Sequence, residues 1–238
     1  MLTHLALFRQ RSLVIAIVAF LVVLVLWNIP QLDFILYPVR LFVTFVHEAG
    51  HGLAAILTGG HFENFRVDPN TAGVALTSGG ARWLVLPAGY LGAALFGALL
   101  FYITNTVPYP RTISLILAIL VAVITVLFTD LLSTAFLVGL GSALVLLALW
   151  RYADRSVNLL VLDALAILTG LNVVLDLVAL ISHSNAAMGE VLNDAAAFSR
   201  DVAPILPPVV WAVVWTIIAV LMLGAAVYFS HIRRRRIL

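Results

Sequence analysis

The sequence predicts an all-α polytopic membrane protein of about seven transmembrane helices with one small β-hairpin. Three observations lead there. Residues of the hydrophobic class make up 63% of the 238 residues and charged residues only 10%, and the apolar runs are too long and too many for a soluble core. A chain of this length supplies roughly seven spans of about 20 residues joined by short loops, which leaves room for a single membrane-embedded domain over 1–238 and no second soluble one. Finally, residues 61 to 81 are polar and read as strand, turn and strand.

The elements follow in order. A first apolar segment, 12–28, comes after Arg9 and Arg11 but runs straight into Trp27-Asn28-Ile29-Pro30 without a small-residue cleavage site, so it reads as a retained span. A second, 34–58, is interrupted by Arg40 and the cluster His47, Glu48, His51, and stops at Gly59-Gly60. The hairpin takes Phe65-Arg66-Val67 and Val74-Ala75-Leu76 as strands around Asp68-Pro69-Asn70. A third span, 83–103, opens in Leu86-Pro87-Ala88-Gly89-Tyr90-Leu91-Gly92, where small residues allow close helix contact. Two spans, 112–129 and 131–150, meet near Thr129-Asp130, which places Asp130 at a membrane surface. The sixth, 158–181, carries Asp163, Asn172 and Asp176. A polar, Ala-rich loop occupies Ser182 to Pro208, and the seventh span, 209–229, has Trp211 and Trp215 near its start as interfacial anchors.

Composition also excludes chemistry. Without cysteine there are no disulfides, thiol nucleophiles or Cys-held metals, so any metal must be held by His, Asp or Glu. All 13 basic residues are arginine, and the run Arg233 to Arg236 beyond the last apolar segment reads as a positive-inside anchor rather than a nucleic-acid surface. Placing the C-terminus inside puts eight arginines there against five outside.

The chemistry centres on His47-Glu48-Ala49-Gly50-His51. Two histidines four apart on a helix point the same way and can reach one divalent ion, and Glu48 beside them is placed to accept a proton from a water that zinc has made acidic. The pattern is rare by chance in a chain with six histidines and three glutamates, and ionisable groups in mid-span are costly unless paired or ligated. Zinc that keeps one open position needs a third protein ligand. Asp176, inside the sixth span, is the expected one. Asn172, four residues earlier on the same face, orients it or binds a substrate carbonyl. Asp163 lies about 220° around that helix from Asp176 and reads as a partner for Arg155 or as interface solvation. Asp130 and Asp194 become ligand candidates only if the span boundaries shift. His61 follows the motif helix in a polar segment and reads as solvated; His4, His183 and His231 read as surface residues.

These residues resemble the site-2 protease family of intramembrane zinc metallopeptidases, in its compact bacterial branch. The likeness rests on Val46-His47-Glu48-Ala49-Gly50-His51-Gly52 in a hydrophobic helix, Gly59-Gly60 and a hairpin, then Pro87-Ala88-Gly89-Tyr90-Leu91-Gly92. It extends to Asn193-Asp194-Ala195-Ala196, Leu206-Pro207-Pro208 and a Trp-containing last span. The resemblance implies His47 and His51 as zinc ligands, Glu48 as catalytic base, Asp176 as third ligand, a transmembrane protein as substrate and a multi-pass protein of a bacterial cytoplasmic membrane. Asn172-Val173-Val174-Leu175-Asp176-Leu177 keeps an Asn and an Asp of the family's second motif without its Pro and Gly, which leaves that helix unbroken. Two other readings of the same residues are a metal-binding membrane transporter and a catalytically silent scaffold. Glu48 speaks against the transporter, because an ion path needs ligands but no base beside them.

Overall fold

The computed structural model describes residues 2–182, 187–188 and 191–232. The Arg233 to Arg236 run and His183 lie outside them, as do the side chains of His4, Arg9 and Arg11. The elements in chain order are α1 (Leu2–Asn28), α2 (Asp33–Leu57), β1 (His61–Val67), β2 (Gly73–Ser78), α3 (Arg82–Val85), α4 (Ala88–Thr106), α5 (Pro110–Phe128), α6 (Thr134–Tyr152), α7 (Arg155–Ser182), β3 (Ala187–Met188), β4 (Val191–Leu192), α8 (Asp194–Asp201) and α9 (Pro208–Val227).

Each predicted apolar stretch is a helix, but the count of seven spans does not carry over. Five helices, α4 to α7 and α9 with its continuation, are individually long and apolar enough to cross a bilayer, and a sixth span results if α1 and α2 are taken together. These two meet at 104° across a break at Pro30. Proline has no N–H to continue the ladder of α1, and the chain turns through a single 3₁₀ turn, Pro30–Leu32, before α2 begins. The result has the form of a broken span rather than two straight ones.

Helix α2 is the centre of the molecule. Leu41, Phe45, Glu48, Gly52 and Ala55 recur at helical spacing on one buried stripe. On one side Phe42 and Phe45 join Phe62, Phe65, Leu117, Val121 and Leu146 in a cluster that ties α2 to the hairpin, α5 and α6. On the other, Val43 joins Ala93, Val173, Leu177, Phe198 and Trp215, tying α2 to α4, α7, α8 and α9. The helix stops as the glycine pair predicts. The Gly60 N–H donates to the Ala55 carbonyl at 2.8 Å and the Gly59 N–H to Ile56 at 3.1 Å, with Gly59 at φ +82°, a Schellman closure.

The hairpin forms where expected, with Phe65 opposite Ala75 and Arg66 opposite Val74. In a regular strand Phe62 and Phe65, three apart, would face opposite ways. A bulge between Phe62 and Asn64 returns both rings to the core side, where Phe65 meets Phe45 edge-on at 4.9 Å and Phe62 stacks on Phe128 at 4.2 Å. Its turn is fixed to α2: Tyr37 Oη donates to the Pro69 carbonyl at 2.7 Å and Thr44 Oγ1 to that of Thr71 at 2.9 Å.

The stretch Ser182 to Pro208, expected as a loop, contains α8, whose residues Ala195 to Ser199 are all buried. Asp163 also departs from expectation. It is fully buried, and its partner is Asn105 on α4, whose Nδ2 donates to Asp163 Oδ1 at 2.7 Å. Asp130 is exposed, as predicted, with Asn64 at 3.5 Å. His61 is exposed at the start of β1, while His231 is half-buried beside Phe101.

Candidate metal centre

The helical spacing of His47 and His51 brings their Nε2 atoms to 3.1 Å from each other. His51 is oriented from behind: its Nδ1–H donates to the Val85 carbonyl of α3 at 2.7 Å, which turns Nε2 toward the cavity. His47 is backed by the edge of Tyr90 at 4.5 Å. Glycines make this packing feasible. A Cβ on Gly50 would lie 2.4 Å from the Ala88 carbonyl, and one on Gly89 would lie 2.3 and 2.4 Å from the two imidazole Nε2 atoms. Only a residue without a side chain at 89 leaves the space into which both ligand atoms point.

The third corner is Asp194. Its Oδ2 lies 3.2 Å from His47 Nε2 and 3.4 Å from His51 Nε2, and the three donor atoms fall within 4.8 Å of one another. Asp176, the expected third ligand, lies elsewhere on the cavity wall. Its Oδ2 accepts from Asn172 Nδ2 at 2.7 Å and it is not one of the three. The reason is the hidden helix: α8 carries Asp194 inward as its first residue, whereas the unbroken α7 keeps Asp176 on the wall.

Several contacts hold α8 in place. Asn193 caps it, its side chain accepting from the Ala196 N–H at 2.9 Å, and the acid at the first helical position suits the helix dipole. Phe198 packs on Trp211 at 4.6 Å and on Trp215 at 5.5 Å, and Asp201 pairs with Arg82 and Arg200. Burial pushes the Asp194 carboxyl up, yet the two imidazoles outweigh it and hold it below the ordinary carboxylate range. It is an anion poised for a cation.

Glu48 is 5% exposed and lies against the backbone of Ala75 in β2. A Cβ on Gly73 would come within 2.4 Å of Glu48 Oε1, so the hairpin closes directly over this carboxylate. All four groups open into one cavity of about 1160 Å³, lined also by Arg40, Arg82, Asn172 and Asp176. Sequence reasoning named Asp194 only as a conditional ligand candidate and did not single out Gly73 or Gly89 as packing against Glu48 and the two histidines. The Asn-Asp-Ala-Ala helix start was the legible signal for the first.

Two imidazole nitrogens and one carboxylate oxygen form the donor set of a catalytic zinc site with one open position. The sequence model of the Peptidase M50B-like family matches residues 14–226. The chain belongs to that family. Its members are membrane metallopeptidases of the site-2 protease group, and the apolar helices agree, so this M50B-like chain is an integral membrane protein. No curated protein and no solved structure matches it.

Proposed function

We propose that this protein is an intramembrane zinc metalloprotease in which His47, His51 and Asp194 hold the ion and Glu48 is the general base, hydrolysing peptide bonds of membrane-embedded protein substrates. The observation that carries the reading is the convergence of His47, His51 and Asp194 from two distant helices beside a buried carboxylate. When bound, zinc supplies Lewis acidity for hydrolysis.

The protein's own groups do the rest. The Ala75 backbone lies against the Glu48 carboxylate, which can take a proton from the attacking water and pass it to the departing amine. Among the described residues β2 pairs with β1 alone, so the part of its other edge beyond the Glu48 contact suits backbone pairing with an extended substrate. Such binding reads main chain rather than side chain, and suits a protease tolerant of sequence. Asn172 orients Asp176 on the cavity wall. The Asn193-Asp194 tail pattern supports a bacterial cytoplasmic membrane as its location.

The test is reconstitution. Purified protein with single-span reporter substrates should hold about one zinc per chain, lose cleavage on chelation and regain it with zinc. Cleavage that survives both chelation and Glu48→Gln would refute the assignment and direct attention to transport or scaffolding.

A further inference from the structure

Resting on the protease reading above, we propose that Asp176, positioned by Asn172, is a specificity-determining residue that binds a cationic group of the substrate close to the cleaved bond.

Most other charged side chains of the cavity are engaged. Arg40 is ion-paired with Asp33, and Arg82 and Arg200 share Asp201. Asp194 faces the two histidines and Glu48 lies against the Ala75 backbone. Asp68 is held at the hairpin turn by backbone bonds, its N–H donating to Ala72 and its carbonyl accepting from Thr71, so its carboxylate belongs to the hairpin side of the cavity and not to the α7 wall.

Asp176 differs from the paired groups and, unlike Asp68, stands on the α7 wall of the cavity. It is an exposed carboxylate on the cavity wall, and its hydrogen-bond partner is the neutral amide of Asn172. The charges of His47 and Arg40 reach it, but one belongs to the metal site and the other is held by Asp33. Asn172 occupies Oδ2 and leaves Oδ1 to accept from an incoming donor.

Its placement suits a substrate contact. Asn172, Val173, Asp176, Ala179 and Leu180 fall at helical spacing and form one wall of the cavity that holds the histidines. A substrate stretched across His47 and His51 must pass this wall. Membrane-spanning segments carry arginine and lysine at their ends, so a cation is the chemistry such a substrate brings into a polar cavity. The same charge could come from a free amino terminus, and the experiment separates the two sources.

Matched single-span reporters would carry Arg, Gln or Glu within about three residues of the cleaved bond, with kcat/KM measured for each. Wild type should favour Arg over Gln by on the order of fivefold, the yield of one partly solvated ion pair, and disfavour Glu. Asp176→Asn should bring the Arg/Gln ratio close to one while zinc content holds, and Asp176→Glu should keep the preference.

An unchanged ratio in Asp176→Asn would overturn the proposal. Loss of zinc in that variant would make Asp176 a ligand and overturn it as well. Reporters that begin within about three residues of the bond, acetylated or free, test the amino terminus, and a preference confined to the free form would refute the side-chain assignment. Wild type that releases no Glu48-dependent product from any reporter would sink the protease reading itself, whereas robust cleavage with a flat Arg/Gln ratio sinks this inference alone.

Discussion

Helix α2 supplies three polar side chains of the site within five residues, whereas α8 supplies the fourth from a segment far along the chain. The first set is rigid by construction, since one helical turn aligns His47 with His51 and the hairpin packs Ala75 against Glu48. The second starts on a local asparagine cap and is placed by tertiary contacts, two tryptophans against Phe198 and an ion pair of Asp201 to Arg82. The difference teaches that catalytic groups can be local while completion of the metal site is global. Perturbing α8 should therefore cost metal, and perturbing Glu48 should cost chemistry without cost to metal.

The sharpest contrast is between the two aspartates. Asp194→Ala should release zinc and abolish cleavage, because loss of a ligand exceeds the 10- to 100-fold penalty typical of outer partners. Asp176→Ala should keep zinc. Metal analysis of the two purified variants side by side decides it, and the opposite pattern would return the third corner to α7. Glu48→Gln comes next, with cleavage lower by on the order of 10³-fold and zinc undiminished.

The asymmetry also explains what was legible in the sequence. The motif helix, its glycine stop and the hairpin are local, and Gly59, Phe65 and Ala75 stand where turn chemistry and alternation put them. Helix α8 was hidden because Asp194 to Asp201 is short, Ala-rich and hardly apolar, buried by its neighbours rather than by its own hydropathy. Asp176 poses a different problem: a carboxylate in a long apolar helix marks membrane depth, but not which wall of a cavity it faces. The span count is unsettled at Pro30, where two apolar runs that each read as a crossing meet at 104°.

Gly89 of α4 bears on the first region, since its missing side chain is the space shared by His47 and His51. Gly89→Ala places a methyl within 2.4 Å of both ligand nitrogens and should weaken zinc binding by about 10- to 100-fold, the scale of a disturbed ligand geometry. Titration with a competing chelator would measure it. Zinc affinity equal to wild type would mean that α4 can withdraw from α2 and that the histidines are not packed against it.

The smallest expected effect tests whether α8 must be preformed. Asn193→Ala removes the cap that holds the first turn of α8 and should cost about 1 kcal/mol, while leaving every proposed ligand in the chain. If Asp194 depends on that turn for its position, the cost falls on the metal-competent state and zinc affinity drops by roughly fivefold, with Glu48→Gln showing no such drop. Asn193→Asp, which can cap as well, should restore it. A cap mutation that lowers thermal stability yet leaves zinc affinity untouched would show that the tryptophan contacts alone fix α8, and the global half of the comparison would then rest on Phe198 rather than on the helix start.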